Sequence, residues 1–163
     1  MASVFHLQNT SATHELSVYL DGQRIWHECH PTCLGVTLDC TLSYREHLTR
    51  LHFKLKKRNN LLMMLASSTW DASTNTKRSS ALALCYSAAE YCAQVWSRSA
   101  HTSQVDVQLN STMCLISCTL RSIPLPWLPV LSNIDLPALR RKAATDMTVG
   151  QSSLISLAHH CCN

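Results

Sequence analysis

The chain has 163 residues, a net charge of +4 and 46% hydrophobic residues, which suits one globular domain and is too apolar for a disordered chain. Charged residues make up only 15%, against roughly 25% in soluble domains, and Ser, Thr, Asn, His and Cys fill the gap. Three glycines argue against a β-sandwich, a Rossmann unit or a phosphate-cradling loop, which need Gly for positive φ or close backbone approach. The longest apolar runs, Leu61–Ala66 and Ala81–Ala89, are too short to span a membrane.

Val18–Ile25 reads as a β-hairpin, two short runs around Asp21-Gly22, a dipeptide suited to the positive φ angles of a tight turn. A further strand is expected over Cys33–Leu38. Ser43-Tyr44-Arg45-Glu46 fits a capping box, with Ser43 and Glu46 satisfying each other's amides. A helix is expected from about 44 to 66, with Leu48, Leu51, Leu55 and Leu62 on its core face. Arg50, Lys54, Lys57 and Arg58 form a basic stripe beside that face. Ser73 or Thr74 offers the next cap. A second helix over about 75–98 would set Leu82, Tyr86, Ala89, Ala93 and Trp96 at core spacing. A third, about 103–119, would bury Val105, Leu109, Met113 and Ile116. Pro124, Pro126 and Pro129 argue against regular structure between this helix and the next. Ser132-Asn133-Ile134-Asp135 would cap a last helix with Pro137 in its first turn and Arg140, Arg141 and Lys142 beyond. The fold class is therefore mainly α with a small N-terminal β element: a hairpin plus a strand, then a bundle of three to four helices. Residues 1–14 read as an unstructured leader, and from Val149 the periodicity fails.

Six basic residues, Arg45, Arg50, Lys54, Lys56, Lys57 and Arg58, crowd one short window whose sole acid is Glu46. Such an excess is an electrostatic footprint for a polyanion or simply a solvated face. Nine cysteines cannot all pair within one chain. The first ten residues lack the basic start and apolar core of a signal peptide. These cysteines are accordingly expected to be mostly free thiols of an intracellular protein, cytoplasmic or nuclear and not secreted. His27, Glu28, Cys29, His30, Cys33 and Cys40 lie close in sequence but lack the paired spacing of a zinc site. Cys33 suits a small apolar role in its strand, and His159-His160-Cys161-Cys162 are too nearly adjacent to converge on one ion. No metal and no cofactor is expected. The acids are dispersed, with no pair or cluster to hold catalytic metal ions and no nucleophile elbow, so no catalytic residues are assigned.

Leu34-Gly35-Val36-Thr37-Leu38-Asp39, followed by Leu42-Ser43-Tyr44 and His47-Leu48, resembles the FLGVTLD…LSYRQHL signature of non-LTR retrotransposon (LINE, jockey-like) reverse transcriptases. The stretch Ser80–Trp96, SALALCYSAAEYCAQVW, is similar to that family's ALALVYSAAEYCAPVW segment. Gln108-Leu109-Asn110, Leu115-Ile116-Ser117, Pro124–Pro129 and Ala138–Ala144 also fit in order, so the resemblance covers roughly residues 15–148. It implies that 15–40 corresponds to the palm edge, with Leu34, Gly35 and Val36 as a primer-grip-like strand, and that 43–148 is a helical thumb-like region. The family's catalytic aspartates, with its Y-A-D-D motif, would lie upstream of this point. Cys40 and Cys114 stand where the family shows Arg, Cys118 where it shows Gly and Cys33 where it shows Phe. Each is one base change away, as in a decayed element copy. The tail 149–163 leaves the family pattern and is expected to be disordered.

The resemblance implies a truncated remnant of an RNA-directed DNA polymerase that is not itself an enzyme. It would at most bind an RNA–DNA or other nucleic-acid duplex weakly, through Arg50, Lys54, Lys57 and Arg58, with no membrane and no small-molecule substrate as partners. The alternatives are a small helical module that binds nucleic acid or protein, and an expressed pseudogene product with no selected activity.

Overall fold

The computed structural model describes residues 2–5, 17–67, 72–119 and 123–146; most of the expected leader and the whole of the 149–163 tail lie outside them. The architecture is mainly α, with a small β element before the helices. Strands β1 (Val18–Leu20) and β2 (Gln23–Ile25) pair antiparallel in the register Val18↔Ile25 and Leu20↔Gln23. Asp21 at φ 51° and Gly22 at φ 76° make the tight primed turn that the dipeptide predicts. This hairpin buries little, and Tyr19 and Leu20 are exposed. At its far end Ala2 bridges His27 in parallel.

The single strand expected over Cys33–Leu38 is instead a second hairpin. Its strands are β3 (Thr32–Cys33) and β4 (Val36–Thr37), turning at Leu34 (φ 47°) and Gly35 (φ 79°). Leu34-Gly35 takes the same pair of left-handed conformations as Asp21-Gly22. A leucine at the first position conceals this in the sequence, because β-branched neighbours read as one continuous strand. Val36 and Thr37 are buried and seat the hairpin on the first helix.

That helix, α1 (Arg45–Leu65), buries Leu48, Leu51, Leu55 and Leu62 as expected, and Asn59 with them. Its start differs from the capping box. The N-cap is Tyr44 at φ 60°, with no side-chain cap, so Ser43 falls one residue too early and Glu46 turns to Arg50 instead. Asp39 does the work. Its carboxylate accepts from the Ser43 hydroxyl, from Tyr44 N at 3.0 Å and from Thr41 Oγ1 at 3.3 Å. Partial burial opposes the Asp39 charge, but these hydrogen bonds outweigh it and hold the carboxyl below its ordinary value. They also stabilise a loop in which Leu42 and Tyr44 both have positive φ, a costly conformation for side-chain-bearing residues.

The second expected helix runs continuously through α2 (Thr74–Ala81), a π turn (Leu82–Tyr86) and α3 (Ser87–Glu90), then breaks and resumes as α4 (Ala93–Trp96). Ser73 caps α2, accepting from Thr76 N at 3.2 Å. In the π turn the Ala83 carbonyl accepts from the Ser87 hydroxyl and the Leu84 carbonyl from Arg58, so side chains stand in for a disturbed backbone ladder. Cys92 at φ 51° ends the run. The expected inward positions Tyr86, Ala89, Ala93 and Trp96 are buried, while Leu82 is only partly so.

Helix α5 (Ser103–Ser117) buries Val105, Leu109, Met113 and Ile116 as its spacing predicts, and Thr112 as well. Cys118 closes it at φ 52°, and Thr119 N reaches back to Cys114 O at 3.1 Å, a termination that glycine normally serves. The proline segment is more regular than expected. A 3-10 turn (Leu125–Trp127) runs into α6 (Leu128–Ser132), with the prolines in first-turn positions, where a missing N–H costs nothing. Asn133 at φ 52° ends α6, so Ser132 belongs to that helix and Ser132–Asp135 do not form the expected cap. A last helix, α7, covers 137–146 and opens on Pro137. Arg140 pairs with Glu90 and lies over the Tyr86 ring, while Arg141 pairs with Asp106 and lies over Trp96. The expected basic cluster of this helix is thus partly consumed as structural clamps.

Replacing Asp39 with Ala removes the acceptor that organises the start of α1. The expected loss is about 1–2 kcal/mol, a fall in Tm of about 2–8 °C for a chain of this size. Glu46→Ala, by contrast, is expected to change Tm by less than about 2 °C, since the Glu46–Arg50 pair is exposed. Thermal melts of the two variants check the assignment, and a larger loss from Glu46→Ala would restore the capping box.

Candidate nucleic-acid interface

Helix α1 carries basic residues on several sides: Arg50, Lys54 and Arg58 face the β3–β4 turn and α3, while Lys56 lines a groove with α5. Arg50, Lys54 and Arg58 recur every four residues, so they advance together along one side of the helix. Beside them run the turn of the β3–β4 hairpin and the π turn with α3. The groove between has a volume of about 350 Å³ and is lined by these three cations together with His47, Gly35, Thr37 and Tyr91. Lys57 does not line it; at 100° per residue it lies towards the outer face of α1 with Phe53. The expected four-residue stripe is therefore three residues in a groove and one outside it.

The primer-grip-like trio divides in the same way. Gly35 lines the groove. Val36 points into the core at 4% exposure, and Leu34 projects into solvent at 83%. Gly35 is needed here on two counts. Its φ is positive, and a Cβ would come within 3.3 Å of the Tyr91 ring. The Tyr91 hydroxyl donates to the Leu34 carbonyl at 2.8 Å, which pins the turn against the α3–α4 corner and sets one wall of the groove.

His47 sets the other contact. Its Nδ1 accepts from Thr37 N at 3.3 Å, and Arg50 donates to the Thr37 hydroxyl at 3.4 Å. A backbone N–H can be accepted only by an unprotonated ring nitrogen, so this contact calls for the neutral imidazole with its proton on Nε2. Burial, then the nearby charges of Arg50 and Lys54, push its pKa below the ordinary value. Of the three cations, Arg50 shares its charge with Glu46 at 2.9 Å, Arg58 is engaged by the Leu84 carbonyl, and Lys54 has no ion-pair partner among the described residues. The groove is a positively charged channel without carboxylates in its lining, and it suits phosphate oxygens.

Sequence reasoning missed His47, Thr37 and Tyr91. His47 had a usable signal, since it lies three residues before Arg50 and seven before Lys54 on the same helix side. Tyr91 had none, because it reaches the groove only through the helix break at Cys92. Elsewhere, among the described residues, no group of three or more His, Cys, Asp or Glu side chains comes together to hold a metal ion. His27 Nδ1 and Cys29 Sγ lie 3.7 Å apart, and the Cys40 thiol donates to the Cys29 carbonyl at 3.7 Å. Cys29, Cys33, Cys40, Cys85, Cys92, Cys114 and Cys118 are free thiols; His159 to Cys162 lie outside the described residues. No described helix is long and apolar enough to cross a membrane.

The His47 contact makes stability depend on pH. In the unfolded chain the imidazole protonates near its ordinary value of 6.5, and in the folded chain only at lower pH. The unfolded state therefore binds the extra proton first, so stability is full above that value and is lost as pH falls below it. Asn at 47 places an oxygen where Nδ1 now accepts and does not titrate. Denaturant unfolding from about pH 7.5 to about pH 5.5 should show stability falling in the natural chain and a flatter profile in His47→Asn. Parallel profiles would remove His47 from the contact.

No protein-family model, no curated protein and no solved structure matches the chain, so the reading of the groove rests on its own residues.

Proposed function

We propose that the chain is a non-catalytic remnant of a non-LTR retrotransposon reverse transcriptase, a palm-edge and thumb-like piece that binds a nucleic-acid duplex weakly through the α1 groove. The observation that carries the reading is the alignment of Arg50, Lys54 and Arg58 along one groove facing the Gly35 turn. These are residues of the two segments, 34–39 and 42–48 with the helix that follows, on which the family resemblance rests. Cations one helical turn apart, about 6 Å along the axis, can follow one sugar–phosphate strand. No aromatic row accompanies them, so base stacking adds little and sequence preference is not expected.

Cys118 fits the decay of an element copy, given the resemblance. The resemblance implies Gly at this position, and Cys118 adopts φ 52° at the end of α5, where Gly is favoured. A side chain there strains the turn, and its sulfur gains two contacts, the Lys77 ammonium at 3.0 Å and the Leu115 carbonyl at 3.9 Å.

Three groove cations can neutralise about three phosphates, so binding to an RNA–DNA hybrid should be micromolar or weaker and fall with salt at a log–log slope near −3. The triple variant Arg50→Gln, Lys54→Gln, Arg58→Gln should flatten that slope, whereas Lys57→Gln should leave most of it. Fluorescence anisotropy across a salt series tests both. Equal binding by the triple variant, or an equal loss from Lys57→Gln alone, defeats the groove. Primer extension with Mg²⁺ or Mn²⁺ should give no template-dependent incorporation, because no carboxylate cluster is expected to hold the metal ions; incorporation above a mock preparation would overturn the non-catalytic reading.

A further inference from the structure

The outer face of α1, about a quarter turn away from the groove, is unusual for a solvated helix. Phe53 is 56% exposed and Met64 64%, about 20° apart at 100° per residue. Lys57 is exposed alongside them, and Lys56 is exposed on the flank of the strip, at the edge of the groove with α5. Between Glu46 and Asp71 the sequence has no acid at all, so nothing on this helix beyond its first turn offsets their charge. A helix meant only for water would carry Glu–Lys pairs here and would not align a Phe and a Met beside unpaired lysines.

We propose that this face of α1 is a peripheral binding surface for anionic lipid bilayers, separate from the groove and from what the groove binds. The charge of the face fits a negative surface, and its apolar side chains are what separate a bilayer from other polyanions. Phe53 and Met64 are eleven residues apart on one side of the helix, about 16 Å along its axis. They stand on a ridge, so they can enter the headgroup–acyl boundary while Lys56 and Lys57 stay at headgroup level. A nucleic acid offers a Met side chain nothing comparable. The one ring present, Phe53, already stands edge-on to His52 at 5.4 Å and 84°, a poor platform for a base. The core side of the helix remains committed to Leu48, Leu51, Leu55 and Leu62, so docking needs no unfolding of the bundle.

The test is flotation of the full chain with vesicles of phosphatidylcholine alone and of phosphatidylcholine with phosphatidylserine. Binding to the serine-containing vesicles and not to the neutral ones is expected, weakened by salt. Lys56→Gln with Lys57→Gln should weaken it on the order of twenty-fold, about five-fold for each lysine near an anionic surface. Phe53→Ser with Met64→Ser should abolish flotation while leaving hybrid binding and Tm unchanged, since both side chains are exposed. Three results would overturn the proposal: no flotation with either vesicle, equal flotation of the Phe53/Met64 variant, or loss of hybrid binding in that variant, which would assign the ridge to nucleic acid. The triple groove variant fails independently, in hybrid binding alone, so the two surfaces are separable.

Discussion

Asn59, buried in the middle of α1, donates from its carboxamide to the Gln108 carbonyl at 2.9 Å and accepts from the Thr112 hydroxyl at 2.7 Å, with the Cys85 thiol 3.6 Å from the same oxygen. The amide thus bonds to α5 twice and also touches the π turn. Apolar contacts between α1 and α5 alone would tolerate sliding by a helical turn, because apolar residues repeat at helical spacing along both seams. A satisfied buried amide does not tolerate it, since any shift leaves a donor or acceptor unpaired in the core at a cost of about 1–3 kcal/mol. This clasp fixes the rotation of α1, and the rotation decides which side chains face the groove and which face solvent. Replacing Asn59 with Leu would keep the branched outline of the side chain and remove the hydrogen bonds that hold the register.

Rotation of α1 explains why a stripe that looks single in sequence has two fates. Arg50, Lys54 and Arg58 lie beside the hairpin and the π turn, while Lys57 does not line the groove. The periodicity of a helix shows which residues share a side, but the boundary between contacted and free sides depends on neighbours far along the chain. Tyr91 and the Leu84 carbonyl, which complete the groove wall and engage Arg58, are such neighbours. Their positions follow from the π turn and the break at Cys92, neither of which has a composition that announces it.

Legibility followed the same line. The helix faces of α1 and α5 were plain because Leu48, Leu51, Leu55, Leu62 and Val105, Leu109, Met113, Ile116 repeat at helical spacing, and burial follows spacing when one side meets a core. The Asp21-Gly22 turn was plain because glycine follows a residue that tolerates positive φ. The Leu34-Gly35 turn was hidden because leucine at positive φ is stabilised only by tertiary contacts, here Tyr91 on its carbonyl and Thr37 seated on α1. The capping box failed for a similar reason. Ser43 and Glu46 have the right spacing, but Asp39 reaches across the loop and moves the start of the helix by one residue. Local rules lost wherever a longer-range hydrogen bond could satisfy the same backbone groups. Within the site, cation identity was legible and cation grouping was not.

The groove and the core also compete for the same side chains, and this limits how tightly the groove can hold an anion. Arg58 donates to the Leu84 carbonyl and Arg50 to Glu46 and Thr37. A phosphate that recruits either guanidinium must replace bonds already made, and for Arg58 it leaves a carbonyl of the π turn short of a donor. Only Lys54 can be engaged without an exchange. The net gain per contact is therefore smaller than the count of charges suggests, and most of it is long-range attraction rather than directed hydrogen bonding. Attraction of that kind decays within a Debye length of about 8 Å at physiological salt. A groove built this way holds a polyanion loosely and without regard to sequence, and tightening it would require freeing Arg58 from the turn that it now supports.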